Sequence, residues 1–570
     1  MAARVANRRI RLLAAVFALV FALALARAGW LQAIRASALT RLAVSQHRET
    51  VDVPAHRGTM YDRLGFEVAL GSPTITVYAN PRQIGDPGVV AVAAARTLGL
   101  DPDKLYPLLA DQSRGFVYVQ RQADPEKAQA LQRQGIVGLG FYPEEKRIYP
   151  QGRVGASVVG YAGVDNRGLA GLELSLDRLL TGQQGEKTIV KDPFGRTLEV
   201  VGSKPRSDGR DVYLTVDHTL QGQVERVLGA TVARWEAKSA SAVVMDPRTG
   251  GILALAVAPG YDANRFPKVS DERKRNRAVT DTYEPGSTFK VVTISAALET
   301  GQVGPDTKFM LPYQIQVADR KIHDAERRGT ETMSVHKILS HSSNVGVVTI
   351  AEALGKERIS RWIDRFGFGR RTGIEFPGET RGIVVPPGKW SGSTIGNVPI
   401  GQGIAVTPLQ MVAAYGAIAN KGIWVQPHLV EKIAGERPVE PGRRRIMSTR
   451  TSKQMRKMLR EVVEEGSGTA AQVPGYQIAG KTGTAAKPDE QGGYSDYRYV
   501  ASFVGFVPAK NPRLVMLVTV DEPRGAIWGG VVAAPAFAEI AKFAHQYLEV
   551  PPDCYRGLPA PPPAFERSGK

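Results

Sequence analysis

Glu284-Pro285-Gly286-Ser287-Thr288-Phe289-Lys290 is the stretch from which the fold of this chain is read. It runs into the apolar series Val291, Val292, Ile294, Ala297 and Leu298, and stops at Gly301. That pattern predicts a helix opening at Pro-Gly and ending on a glycine C-cap. Residues three apart share a helix face, so Lys290 lies within reach of the Ser287 hydroxyl. A serine hydroxyl is a weak nucleophile until a base removes its proton. A lysine ammonium cannot be that base, but a lysine neutralised by burial or by a second cation can. The positive end of the helix favours negative charge developing at Ser287.

Further along, Ser334-Val335-His336-Lys337 repeats the SxxK spacing. Here the plain reading is a helix N-cap at Ser334 with Lys337 toward water. Ser342-Ser343-Asn344 follows, 55 residues after Ser287. Ser342 is suited to relay a proton, and Asn344 offers a donor and an acceptor for a peptide. Alone, the tripeptide reads as a loop at a helix end. A third stretch, Lys481-Thr482-Gly483-Thr484, predicts a strand edge able to pair with an extended peptide. Lys481, Thr482 and Thr484 are candidates to hold a carboxylate, and Gly483 permits close approach. The backbone N–H groups of Ser287 and Thr484 are candidates for an oxyanion hole. Arg248-Thr249-Gly250 and Arg371-Thr372-Gly373 show how common such tripeptides are, and both read as turns. Taken together, the three motifs match in order and spacing the SxxK, SxN and KTG set of penicillin-binding proteins and active-site serine β-lactamases.

The segments around the motifs predict an α/β (α+β) domain over residues 211–550. Apolar runs at 242–245 and 252–256 flank Pro247-Arg248-Thr249-Gly250, a hairpin signal. Runs at 501–507 and 514–520 form a second hairpin around 508–512. Helical patterns lie between them at 289–298 and 409–419, and a last one at 535–548. The expectation is one antiparallel sheet in which the first and last hairpins meet, covered by helices. Residues 34–210 read as a mixed α/β region without a nucleophile-base arrangement, and 551–570 as a proline-rich tail.

At the N-terminus, Arg4, Arg8, Arg9 and Arg11 precede 15 uncharged residues, 12–26, about 22 Å as helix. Extending to Leu31 gives 20 residues, with Arg27 able to snorkel and Trp30 placed as an interface anchor. The expectation is a single membrane anchor at 12–31, residues 1–11 inside and the body outside. A cleaved signal peptide, suggested by Ala-rich triplets near Ala26, is the alternative.

The 570 residues are too many for one core, and 43% hydrophobic with 23% charged is a globular balance. The net charge of +19 is spread along the chain, and neither zinc-finger spacing nor an RNA-binding signature accompanies it, so nucleic acid is not expected as partner. One cysteine, Cys554, allows no internal disulfide, and the eight histidines show no metal-ligand spacing. No cofactor is expected.

The chain resembles class B penicillin-binding proteins over nearly its whole length. Arg57-Gly58-Thr59-Met60-Tyr61-Asp62-Arg63-Leu64-Gly65 is similar to the signature of their non-catalytic pedestal, and Gly168-Leu169-Ala170-Gly171-Leu172-Glu173 to a second one. Asp246 to Gly250, Arg275-Asn276-Arg277-Ala278 and Gly401-Gln402-Gly403-Ile404 add to the likeness. The resemblance implies that Ser287 is acylated by a stem peptide ending in D-Ala-D-Ala, and that an amine of a neighbouring peptide then forms the cross-link. It implies Lys290 as base, Ser342 and Asn344 as proton shuttle and donor holder, and Lys481, Thr482 and Thr484 as carboxylate binders. β-Lactams would acylate Ser287 as donor mimics. It further implies a membrane glycan polymerase and other division proteins as partners. Glu284 before Pro-Gly resembles the division (septal) subgroup, the elongation subgroup more often having proline there. The rivals are a D,D-carboxypeptidase or a β-lactamase using the same serine, an elongation-type transpeptidase, and a non-catalytic division scaffold.

Overall fold

The computed structural model describes residues 2–34, 48–191, 197–489 and 491–553. Cys554 and the tail from 554 on lie outside them. The chain divides into two compact units, one of residues 1–56 with 182–209, the other of 57–181 with 210–570. The range expected as pedestal, 34–210, thus contributes to both.

In the first unit the helix Ala2–Gly29 continues into a π-helical turn, Trp30–Ile34. Leu12, Phe17, Phe21 and Leu23 on it are all more than half exposed, so among the described residues nothing covers its apolar run. The span Asn7–Gln32 is long and apolar enough to cross a membrane. The same unit holds a three-stranded antiparallel sheet with Gly185–Lys191 between Arg48–Val53 and Thr197–Lys204.

In the second unit, the strand Glu67–Ala79 pairs antiparallel with Val117–Ala123 on one side and Leu139–Ile148 on the other. Helices Pro87–Leu98, Pro102–Ala110 and Pro125–Gln132 cover one face through Ala91, Leu109 and Leu131 packed on Val77 and Val119. The two pedestal signatures meet in a buried charge cluster. Arg57 donates to Glu173 at 2.7 Å and to Asp177 at 2.7 Å, and Arg147 donates to Glu173 at 2.6 Å. Buried charges persist only when paired and hydrogen-bonded, so each signature stabilises the other. Asp62 of the first signature accepts from the N–H groups of Leu64 and Phe66 and lies 2.6 Å from His218 Nδ1. That contact ties the signature to the helix His218–Arg234. Met60–Tyr61 runs parallel to Val212–Leu214, which pairs in turn with Val430–Ile433, so one sheet spans the 210/211 boundary.

The catalytic region is built on a five-stranded antiparallel sheet ordered Ile252–Ala258, Ser239–Met245, Leu514–Asp521, Tyr494–Val507, Ala479–Pro488. The predicted first and last hairpins do come together, Val243 opposite Leu517. Alternation divides the sheet between two cores. Val243, Leu255, Val504 and Leu517 pack with Phe289, Met411, Tyr415 and Leu459, whereas Val244, Ala256, Phe503 and Val518 pack with Leu220, Val224, Phe537 and Ile540. The strand carrying Lys481 is an edge of this sheet.

The helix after Ser287 differs from its expected start. Gly286–Phe289 forms a 3₁₀ turn, and the α-helix runs Lys290–Glu299. Gly286 sits at φ +53°, outside the helical region, and Thr288 Oγ1 donates back to Pro285 O at 2.7 Å. Every residue from Lys290 to Leu298 is buried, so this helix is the centre of the domain rather than an amphipathic cover.

Candidate active site

Two glycines bring Ser287 against the edge strand. A Cβ on Gly286 would lie 2.9 Å from Thr484 O, and one on Gly483 would lie 2.9 Å from Pro285 O and 2.4 Å from Ser502 Oγ. Side chains at either place would force the turn and the strand apart. Gly286 N–H also donates to Gly401 O at 3.1 Å, which holds the turn from the opposite side. Ser287 is half-buried on this turn, and the backbones of residues 286 and 484 face each other beside it.

Lys290, one turn on, is fully buried. Its Nζ donates to Ser342 O at 2.5 Å, Asn344 Oδ1 at 2.7 Å and Ser342 Oγ at 3.2 Å. The structure therefore joins the first motif to the second through Lys290, and no side-chain hydrogen bond from Lys290 to Ser287 occurs among the described residues. Burial, and then the facing ammonium of Lys481, hold Lys290 well below the usual lysine range, against a smaller opposing pull from Asp324. Three acceptors suit the three N–H bonds of an ammonium. A neutral amine has two N–H bonds and a lone pair, so deprotonation releases one contact and frees the lone pair.

The second motif is a taut turn. It follows the helix Val335–Ser340 and opens the helix Asn344–Leu354. Ser342 has φ +59°, an uncommon conformation for a residue with a side chain. Asn344 is engaged at both ends of its amide, accepting from Lys290 and donating from Nδ2 to His323 O at 2.9 Å. A peptide held by Asn344 must replace one of these bonds.

The third motif has an additional hydroxyl that sequence reading did not single out. Lys481 is fully buried, and burial pushes it down to about 7. Its Nζ lies 3.2 Å from Thr482 Oγ1, 3.3 Å from Thr482 O and 3.5 Å from Ser467 Oγ. Ser467 Oγ in turn pairs with Thr482 Oγ1 at 2.8 Å. Thr484 Oγ1 accepts from Gly529 N at 3.1 Å. Ser467 belongs to a Gly-Ser-Gly turn, a context without any chemical signal of its own. Glu284, read only as a subgroup marker, also sits beside the serine turn. Its Oε1 accepts from Gly403 N at 2.9 Å and Tyr494 OH at 3.2 Å, and burial raises its pKa. It thereby links the serine turn to the 401–404 loop and to the strand beside Lys481.

The arrangement offers a half-buried hydroxyl, a buried lysine biased toward the neutral form, a second buried lysine among hydroxyls, and a strand at the sheet edge. That set suits acyl transfer through serine.

Comparison with known proteins agrees. Residues 240–542 match the penicillin binding protein transpeptidase domain, and 52–214 the penicillin-binding protein dimerisation domain. The chain is 33% identical over 553 residues to the peptidoglycan D,D-transpeptidase FtsI of Escherichia coli K12, covering 96% of this chain and 92% of that protein. It is 34% identical to stage V sporulation protein D of Bacillus subtilis, covering 94% and 85%. Among solved structures, penicillin binding protein 3 of Mycobacterium tuberculosis complexed with aztreonam is similar at 30% identity and TM-score 0.69, covering 88% of this chain and 98% of that one. With both domain models matched in order and relatives aligned almost end to end, the chain belongs to the class B penicillin-binding proteins, and its relatives are division-type peptidoglycan D,D-transpeptidases.

Proposed function

We propose that this chain cross-links peptidoglycan stem peptides at the division septum, with Ser287 as nucleophile and Lys290 as its base. The carrying observation is the buried Lys290, one turn from Ser287 and bonded to Ser342 and Asn344, with the Lys481 charge opposite. Lys290 takes the Ser287 proton as Oγ attacks the carbonyl of the penultimate D-alanine. The tetrahedral oxyanion sits toward the N–H groups of Ser287 and Thr484. When the peptide C–N bond breaks, Ser342 passes a proton to the departing D-alanine amine and is reprotonated by the Lys290 ammonium, which leaves Lys290 neutral. An acceptor amine then attacks the acyl-serine carbonyl and loses its proton to Lys290 by way of Ser342, and that proton passes to Ser287 Oγ as the ester C–O bond breaks, restoring the serine hydroxyl. Lys481, Thr482 and Ser467 hold the donor carboxylate, and Thr484 lies next to them on the strand. Gly483 lets the donor lie along the strand edge. A β-lactam presents the same carboxylate and carbonyl and leaves a stable acyl-serine.

The arginines ahead of the apolar run in the N-terminal helix orient the N-terminus inside and the catalytic domain outside the cytoplasmic membrane. A membrane glycan polymerase and division proteins are the partners that this placement and the family support.

The test is labelling of the full chain with fluorescent penicillin, followed by mass mapping. A covalent adduct on the Ser287 peptide is expected, and Ser287→Ala is expected to abolish it while the melting temperature stays within a few degrees. Undiminished labelling of a folded Ser287→Ala protein would overturn the assignment.

A further inference from the structure

Asp324 follows the hairpin of Gln314–Val317 and Arg320–His323 and is buried. A buried carboxylate is costly unless donors surround it. Its Oδ1 accepts from Asn344 N at 2.6 Å and Val345 N at 3.0 Å, Ser343 Oγ lies 3.0 Å from both oxygens, and Oδ2 accepts from Arg328 at 2.6 and 3.1 Å. Asn344 and Val345 open the helix Asn344–Leu354, where N–H groups lack intrahelical partners and an anion is favoured. That helix already has its own N-cap, Ser343, which accepts from Gly346 N at 2.9 Å. Asp324 is thus a second cap, supplied from another segment, immediately beyond the strained Ser342. The adjoining His323 carbonyl fixes the Asn344 amide.

We infer that Asp324 is a positioning residue for acylation, fixing the three acceptors that hold Lys290 Nζ and setting its carboxylate against that lysine with Arg328 behind it. This rests on the reading of Lys290 as the base for Ser287. Two charges bear on Lys290: the Lys481 ammonium from the edge strand, and the Asp324 carboxylate from the end of the hairpin. Arg328 partly offsets Asp324, and the atoms bonded to Nζ are neutral. A cap that served only stability would slow nothing in a folded protein and would leave the pH dependence of acylation in place.

The test compares Asp324→Asn and Arg328→Gln in the full chain, with penicillin labelling rates followed against pH and melting temperature measured alongside. Asp324→Asn is expected to slow acylation about ten- to a hundredfold. Removing the carboxylate also moves the acid limb of the pH profile to lower pH. Arg328→Gln is expected to slow acylation only a few-fold and to move the limb the other way, to higher pH. A folded Asp324→Asn protein with the wild-type rate, or limbs that shift in the same direction or not at all, would overturn the inference. If Asp324→Asn does not fold, the Arg328→Gln limb decides alone: a rise supports the positioning role, and no movement overturns it. Wild-type protein that fails to label at Ser287 would instead sink the underlying assignment of the nucleophile, a separate result.

Discussion

Two stretches of this chain, Ser287-Thr288-Phe289-Lys290 and Ser334-Val335-His336-Lys337, spell the same SxxK pattern and have come to opposite uses. At the second, Ser334 ends a strand and caps the helix Val335–Ser340, its side chain accepting from Lys337 N at 3.4 Å. The hydroxyl is spent on the backbone of its own helix, and Lys337 is half-buried. At the first, the turn Gly286–Phe289 and the helix Lys290–Glu299 have no side-chain cap. The Ser287 hydroxyl makes no capping bond, and Lys290 is buried in the core beside a second lysine. The difference shows that SxxK is a spacing and not a site. What sets the first copy apart is the burial of its lysine and a glycine turn whose serine makes no capping bond. The second copy still serves the first, because its helix ends at Ser340 and delivers Ser342 and Asn344 to Lys290.

The largest expected separation between the two copies lies in their lysines. Lys290→Ala should lower the penicillin acylation rate by about 10³-fold, the scale of a lost general base. Lys337→Ala should stay within about twofold of wild type, since its ammonium touches no reacting group. Labelling time courses on both proteins measure this, and comparable losses would erase the distinction.

A second separation appears in pH dependence. Lys290 acts as a base only when neutral, so acylation rises as pH climbs through its pKa. Burial and the Lys481 charge set that limb below the ordinary lysine range. Lys481→Met removes the neighbouring charge and should move the limb to higher pH, as well as weakening carboxylate binding. A wild-type limb near 10.5, the unshifted lysine value, would show that Lys290 is not the buried neutral base argued here.

Much of this was legible in the sequence. The hairpins at 242–256 and 501–520 carried short continuous apolar runs around turn residues, and the sheet followed from them. That the segments of Ser287, Lys290, Ser342, Asn344, Lys481 and Gly483 come together was legible because each motif is contiguous and the three match a known set in order and spacing. Asp324 and Ser467 were not. Each acts on a motif 14 or more residues away through a fold-dependent contact, and each sits in a segment that reads locally as a turn. The 3₁₀ start at Gly286 was also hidden, since a helical pattern does not reveal where a positive φ delays the first α-turn.

The smallest expected effect tests whether the second copy is only a platform. Removing an N-cap hydroxyl costs about 0.5–2 kcal/mol, and the 3.4 Å bond of Ser334 places it toward the low end. Ser334→Ala should therefore lower unfolding free energy by about 0.5–1 kcal/mol in urea titration. Ser334→Asp, another good capping residue, should restore most of it. Acylation should remain at the wild-type rate in both, because Asp324 and Ser343 hold the start of the next helix independently of the Ser334 end. If Ser334→Ala instead slowed acylation by tenfold or more in a protein that stays folded, the capping helix would be coupled to the position of Ser342. The two SxxK copies would then be parts of one catalytic unit, and the contrast drawn between them would have to be restated as a division of labour within it.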